Sequence, residues 1–460
     1  MYVLIHTLGC KVNQYESQVI SESFRSMGII PISVMHSVPR DIKSAAAAND
    51  TDGNVPDICV INSCTVTRTS DRKTRQAIAR LRRLYPDAVI VLTGCFPQAY
   101  PENAAEIPGV DIITGTAERS KIAKLAVEFL NNRTHTTNGN NISKNLNRAI
   151  KHNLNLPDTF EDMRLSSFTG HTRAFVKIQD GCDRYCAYCA IPYARGNLRS
   201  KSINDLEREL NGLALAGFSE TVLVGINLSN YGKISGSDKN SDLSIADAIR
   251  TACEIQGIER VRLGSLEPDM MSGELIDLMS GFEKLCPHFH LSLQSGCDST
   301  LRRMKRHYTT SDFALVAERL RASFENCAIT TDIIVGFPGE SENEFYSSLE
   351  FVKKIGFSKA HIFPYSDRPG TAAMSMPDKI IKKTKTERAA IMTGETEKSR
   401  QIFLSSQVGR NAKVLFETSG KGYTENYTPV EIAAQKELTG KIYDVMITGT
   451  NGDNCTGRLL

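Results

Sequence analysis

The sequence predicts an α/β protein in three parts: an N-terminal parallel α/β layer, a central partial (β/α)6 barrel, and a small C-terminal β-barrel. Three observations carry that reading. Short apolar runs alternate with helical patterns over the first ~130 residues, and six more such runs alternate with helical stretches between residues 172 and 371. The last ~60 residues then change to the two-residue alternation of half-buried strands.

In order, residues 2–6 read as a buried strand and 14–27 as a helix. A strand over 57–61 follows, then a basic helix over 67–84, strands at 88–92 and 111–113, and a helix over 119–130. Residues 39–56, rich in Ala, Asn and Asp, read as a surface insertion. Residues 131–162 are polar and asparagine-rich, which ends the first domain at 130 and places a linker over 131–165. The central domain, 166–395, has strands at 174–178, 221–224, 260–263, 289–293, 329–335 and 360–364. Six such units leave open a barrel that eight would close. A charged helix over 378–403 leads into the last domain, 396–460, whose strands are 412–417, 422–427 and 441–447.

No apolar run approaches the roughly 20 residues that span a bilayer. Residues 1–10 lack the basic n-region and small-residue cleavage site of a signal peptide. Without an export signal, the twelve cysteines read as reduced thiols and metal ligands rather than disulfides, which predicts a cytoplasmic protein. Net charge is only +3, but basic residues cluster in three places. Arg68, Arg72, Lys73, Arg75, Arg80, Arg82 and Arg83 face one acid, Asp71; Arg302, Arg303, Lys305 and Arg306 form a second patch, and Lys379, Lys382, Lys383, Lys385 and Arg388 a third. A charge run is ordinarily a solvated helix face, but three in a nearly neutral chain also suit a phosphate-backbone partner.

The densest chemistry is Cys182, Cys186 and Cys189, spaced C-x3-C-x2-C just after the strand at 174–178. Three thiolates so close can hold three irons of a [4Fe–4S] cube and leave the fourth open to a small molecule. Zinc would call for a fourth ligand and a second C-x2-C pair, and the sequence has none. Cys10, Cys64 and Cys95 each follow a predicted strand of the N-terminal layer. The carboxyl ends of parallel strands converge on one edge, so a second three-cysteine cluster is expected there. Cys59, Cys253, Cys286, Cys297, Cys327 and Cys455 show no convergent spacing and read as packing residues, and none of the strand-associated histidines is assigned a catalytic role. Around the barrel mouth, the strand ends carry Gly225, Asn227, Ser265, Glu267, Gln294 and Gly336, each weak alone because glycine after a strand is ordinary turn chemistry.

At these residues the chain resembles the methylthiotransferase family of radical S-adenosylmethionine (SAM) enzymes. The segments 7–17, 62–67 and 93–95 are similar to that family's N-terminal cluster domain, 182–200 to its radical SAM core, and the last ~60 residues to the RNA-binding barrel called TRAM. Lys11-Val12-Asn13 after the first cysteine, with 291–297 and 422–427, resembles the branch acting on N6-threonylcarbamoyladenosine in tRNA. The isopentenyladenosine branch tends to carry Gln-Met-Asn there, and the branch modifying a ribosomal-protein aspartate Pro-Lys-Asn.

The resemblance implies two [4Fe–4S] clusters and SAM as cofactors, tRNA as partner, a flavodoxin- or ferredoxin-type electron donor, no membrane and no DNA. It places SAM on the Cys182/Cys186/Cys189 cluster and the methylthio source on Cys10/Cys64/Cys95. Tyr188 is expected near the SAM adenine, with Gly225, Asn227, Ser265 and Glu267 as further SAM contacts. Arg195 and Arg199 are the nearest cations for the substrate's carboxylate, with a SAM contact or a structural salt bridge as open alternatives. Tyr423 and Tyr427 are expected to stack on bases, or at least one of them to pack in the barrel. A non-enzymatic iron–sulfur RNA-binding protein is the competing class, disfavoured because structural clusters are fully ligated.

Overall fold

Valine and isoleucine fill consecutive positions of the N-terminal strands, the pattern of a sheet covered on both faces. The computed structural model describes residues 1–35, 54–136, 150–151, 154–168, 170–233, 243–433 and 437–460. Most of the expected insertion at 39–56, and part of the linker, lie outside these residues. The chain forms two compact units: Met1–Leu165 with Gly181–Arg184 and Cys189–Arg199, and Ser166–Asp180 with Tyr185–Tyr188 and Ser200–Leu460.

The first unit is a six-stranded, all-parallel sheet in the order β2-β1-β3-β4-β5-β6, with β1 at Tyr2–Thr7, β2 at Ile30–Met35, β3 at Ile58–Ser63, β4 at Val89–Gly94, β5 at Ile112–Ile113 and β6 at Ile150–Lys151. Every residue of β3 and β4 is buried. Leu4, Cys59, Ile61, Ile90 and Leu92 pack on one face with Ala77, Ile78 and Leu81 of helix α2, Arg68–Leu84. Val3, Ile5, Val60, Val89 and Val91 pack on the other with Ile20 and Phe24 of helix α1, Lys11–Ser26, and with Ile122, Ala123 and Ala126 of helix α3, Ile122–Thr136.

Two of these strands were not expected. β2 contains Pro31, which lacks an N–H donor and is tolerated here because β2 is an edge strand. β6 is only two residues long and falls in the expected linker. The first unit runs on to Leu165, because Leu154 packs on the sheet's core, Gln98 Nε2 donates to Leu154 O (2.5 Å) and Tyr15 Oη donates to Met163 O (2.8 Å). Backbone acceptors made these contacts, and apolar patterning carries no trace of them.

The second unit contains six parallel βα units. β7 (Ala174–Lys177) leads into the two-residue β8 (Gln179–Asp180), which pairs with β9 (Arg199–Ser200). β10 (Glu220–Val224) and β11 (Arg260–Leu263) complete a sheet ordered β11-β10-β7. The chain then continues in a sheet ordered β12-β13-β14-β15, formed by Ser265–Leu266, His288–Leu291, Ala328–Val335 and Lys359–Pro364. Gly264 divides β11 from β12, and a parallel bridge from Val261 to Leu285 links the two sheets. The expected open barrel of six units is therefore present.

Helix α4, Lys382–Ser405, is shared by two cores. Its Arg388 donates to Glu340 Oε1 (2.7 Å) in the barrel, and Leu404 lies in the core of the C-terminal domain, so the expected boundary at 395/396 falls inside one continuous helix. The C-terminal domain is a closed five-stranded barrel, β16-β17-β18-β20-β19: Asn411–Thr418, Lys421–Thr424, Pro429–Ile432, Asn454–Leu459 and Ile442–Asn451. The expected strand over 422–427 stops at Thr424, and Tyr427 turns the chain at φ 67° into the unexpected β18. Among the described residues no helix is long and apolar enough to cross a membrane.

The terminal barrel is fastened to the βα barrel through buried charge. Glu220 is fully buried and receives Arg262 (2.9 Å), Arg260 (3.4 Å) and Arg173 (3.6 Å). Arg260 Nη2 also donates to Lys413 O (2.5 Å), and Arg262 Nη1 donates to Glu425 O (2.8 Å). Burial alone would raise the Glu220 pKa, but the three guanidinium groups win and hold it at about 2. A depressed carboxylate pKa adds stability that is complete above the ordinary value of 4.5 and is lost as pH falls toward about 2. Glu220→Gln should destabilise the second unit at neutral pH by about 3–5 kcal/mol, since it leaves buried arginines uncompensated. Its melting temperature should also fall less steeply than wild type between those pH values, as followed by calorimetry.

Candidate functional site

In the first unit the chain passes from β1 to β2 on one side of β1 and then returns to β3 on its other side. This reversal of strand order opens a crevice at the carboxyl ends of β1 and β3, the ligand position of parallel α/β sheets. Cys10 lies just beyond β1 as the N-cap residue of α1, Cys64 follows β3 directly, and Cys95 follows β4 directly. Gly9, at φ 110°, lets the β1 exit press against β3: a Cβ there would lie 2.7 Å from Cys64 Cβ and 3.1 Å from its Sγ. Asn13 Nδ2 ties the exits together by donating to Leu8 O (2.8 Å) and Ser63 O (3.0 Å).

The three thiols sense one another. Burial pushes Cys64 up to about 12, with Cys95 and Cys10 adding to the shift and the Val66 N–H and Ser70 opposing it. Cys95 is also raised, first by burial, against the pull of the Arg195 guanidinium. Iron binding must displace these protons. Among the described residues no three His, Cys, Asp or Glu side chains close on a single ion. A four-iron cube spaces its thiolates more widely than one ion does, and an all-thiol set at a sheet edge suits it.

Beyond β8, Gly181 takes φ 79° against Asn197, and Cys182 N donates to Gly196 O (2.9 Å). Cys182 and Cys189 count with the first unit and Cys186 with the second, all within one eight-residue stretch. Tyr185, a non-glycine residue at φ 45°, turns the chain between the first two cysteines. In the second unit, Cys186 Sγ accepts from Arg306 Nη1 (3.3 Å), and Arg306 also pairs with Glu267. Arg306 was counted with the basic surface patches; its side chain is only 4% exposed, and sequence alone carried no signal of this contact.

The expected SAM contacts lie at the carboxyl ends of the second unit's strands. Tyr188 packs against a cluster of Ala187, Met304, Phe337 and Tyr365. Gly225 leaves room for Gln179, whose Oε1 accepts from Asn227 N (2.7 Å). Ser265 is exposed, while Glu267 is half-buried and its N–H donates to Ser229 Oγ (2.9 Å).

The four side chains expected to contact RNA have partners within the protein. Arg195 is fully buried in the first unit, where it donates to Cys95 Sγ, Glu16 and Asn13. Arg199 is buried too, and donates to the carbonyls of Arg195 (2.9 Å) and Asn197 (2.8 Å). Of the alternatives open for Arg195, the structural salt bridge is present, with Glu16. Tyr423 and Tyr427 stack on each other (4.6 Å, 17°). Arg173 lies over both rings and Arg262 over Tyr427, so these rings belong to the joint between the two barrels. Of the basic patches, Arg303 pairs with Glu344, Lys379 with Asp367 and Arg388 with Glu340, whereas Arg72, Lys73 and Arg83 of α2 are exposed.

On the activity that the resemblance implies, the two cysteine sets should fail separately. Cys186→Ala is expected to abolish 5′-deoxyadenosine formation while the N-terminal iron remains. Cys64→Ala should keep SAM cleavage and lose methylthio transfer; a normal yield of methylthiolated product from that variant would remove Cys64 from the site.

Comparison with known proteins agrees with this layout. Residues 176–352 match the Radical SAM superfamily, and residues 2–115 match the Uncharacterized protein family UPF0004. The chain is 34% identical to the threonylcarbamoyladenosine tRNA methylthiotransferase MtaB of Bacillus subtilis, over 97% of this chain and 93% of the relative. It is equally similar to the MtaB of Aquifex aeolicus, at 34% over 97% of this chain and all of the relative. It is 32% identical to the tRNA-2-methylthio-N(6)-dimethylallyladenosine synthase of Clostridium tetani, over 97% and 93%. Among solved structures, the radical SAM methyltransferase TsrM of Kitasatospora setae matches with TM-score 0.59 at 14% identity, over 81% of this chain and 77% of that one, which is a likeness of fold. With two cysteine sets on two parallel α/β frames and relatives that match it nearly end to end, the chain belongs to the radical SAM tRNA methylthiotransferases, enzymes whose cofactors are [4Fe–4S] clusters and SAM.

Proposed function

We propose that the chain adds a methylthio group to carbon 2 of N6-threonylcarbamoyladenosine at position 37 of tRNA. The observation that carries this reading is the similarity, over 97% of the chain, to relatives named for that nucleoside, together with Lys11-Val12-Asn13 beside the first N-terminal cysteine. Cys182, Cys186 and Cys189 hold the cluster that binds SAM, and Cys10, Cys64 and Cys95 hold the second. When bound, SAM and its cluster supply the radical that opens the carbon 2 C–H bond, and the second cluster supplies the methylthio sulfur.

The chain's own residues orient these groups. Arg306 donates to Cys186 and keeps Glu267 in place. Tyr188, on the Phe337–Tyr365 cluster, and Asn227, held by Gln179, line the SAM position. Burial of Cys64 and Cys95 excludes water from the second cluster's inner side. A cytoplasmic setting and a flavodoxin- or ferredoxin-type electron donor complete the reading.

A strain lacking this chain should lose 2-methylthio-N6-threonylcarbamoyladenosine from its tRNA and accumulate the unthiolated nucleoside. Mass spectrometry showing loss of the isopentenyl-derived product instead would reassign the substrate to the dimethylallyladenosine branch.

The exposed Arg72 and Lys73 of α2, just beyond the Cys64 loop, are proposed to neutralise tRNA phosphates. The double substitution Arg72→Glu/Lys73→Glu should weaken tRNA binding and lower the salt slope of log Kd by about 1 per lost phosphate contact. Charge reversal is a cleaner test than removing the C-terminal barrel, because truncation strips Arg260 and Arg262 of their carbonyl partners.

A further inference from the structure

The helix Ile191–Arg195 begins two residues after Cys189 and ends on a fully buried guanidinium. Arg195 Nε donates to Cys95 Sγ at 3.2 Å, and its two terminal nitrogens grip both oxygens of Glu16, with Nη2 also donating to Asn13 Oδ1 (2.9 Å). Glu16 is held in turn by Arg119 Nη2 (3.1 Å), whose Nη1 donates to Gly115 O (2.5 Å). Glu16, Arg119 and Arg195 are all fully buried. In this arrangement Glu16 aims a planar, permanently charged donor at one sulfur. A charge-assisted donor of this kind fixes the direction of the sulfur it meets, and a cluster ligand has to keep one orientation.

We propose that Arg195 is a positioning residue for the N-terminal cluster: it holds the Cys95 thiolate in ligating orientation and balances the negative charge of the thiolate-bound cluster. The proposal rests on the reading that Cys10, Cys64 and Cys95 hold that cluster. One short segment thus carries a ligand of the SAM cluster, Cys189, at one end and the support of the other cluster at its far end. Disturbing Arg195 should therefore change the second cluster while leaving SAM cleavage in place.

The test uses the full-length chain with Cys182→Ala, Cys186→Ala and Cys189→Ala, in which only the N-terminal trio can hold iron. Adding Arg195→Gln should lower iron affinity against a chelator by roughly 10–100-fold, the usual effect of losing a ligand's support. It should also alter the electron paramagnetic resonance spectrum of the reduced cluster and shift its midpoint potential to more negative values. Arg195→Lys, which keeps the charge and loses the fork, should recover part of each.

Because Arg195→Gln leaves Glu16 facing one arginine fewer, Arg195→Gln/Glu16→Gln is measured beside it. A double variant that melts near the parent and keeps the altered spectrum supports the contact to Cys95. Parent-like spectrum and iron affinity in either variant overturn the proposal while leaving the cluster assignment intact. A parent that binds no iron overturns the cluster assignment, and the proposal with it. In the otherwise wild-type chain, Arg195→Gln should still form 5′-deoxyadenosine but yield little methylthiolated tRNA.

Discussion

A carboxylate cannot be buried without cationic partners, and Glu16 is buried completely. It lies on α1, receives Arg119 from the segment after β5, and receives Arg195 from the segment after Cys189. Three pieces of chain far apart in sequence are thus brought to the carboxyl edge of one sheet, where Cys10, Cys64 and Cys95 also emerge. Apolar replacements of such a network often stabilise a protein as well as the original does. Retention of charge here is therefore better explained by what it directs: the Nε–H of the Arg195 guanidinium meets the Cys95 thiol.

The second unit repeats the device for a different purpose. Glu220, at the start of β10, gathers Arg173, Arg260 and Arg262 from three strand or near-strand positions, and those arginines reach on to the carbonyls of the C-terminal barrel. The stacked Tyr423 and Tyr427 close over the same cations. The terminal barrel is therefore set against the βα barrel by a polar joint, and the shared helix α4 adds an apolar one through Leu404. A cluster of arginines on the same chain stabilises the faces of these aromatic rings.

Both cysteine sets have an arginine at one sulfur: Arg195 at Cys95 and Arg306 at Cys186. A cationic donor favours the more negative state of any cluster bound there. The acids that hold these arginines, Glu16 and Glu267, differ in surroundings, since Glu16 is fully buried and Glu267 is half-buried at the barrel mouth. The N-terminal donor is thus the more deeply buried of the two.

Sequence alone determined the features that depend on local spacing. Cys182, Cys186 and Cys189 lie within eight residues, so the backbone itself confines them, and runs such as 58–61 and 89–92 announce strands because both faces of each must be apolar. The convergence of Cys10, Cys64 and Cys95 was also legible, because parallel topology sends every strand exit to the same edge. What it could not show was the fate of charged, aromatic and edge residues. Arg195 stood open among a substrate contact, a SAM contact and a structural salt bridge, and its partner Glu16 lies 179 residues away in the chain. Arg306, Tyr423 and Tyr427 were settled in the same way, by groups distant in sequence. β6 and β18 are only two and four residues long and β2 is an edge strand carrying Pro31, so their pairing rests on backbone hydrogen bonds. A long polar side chain adopts whichever partner the fold supplies, and only the tertiary structure decides which partner is within reach.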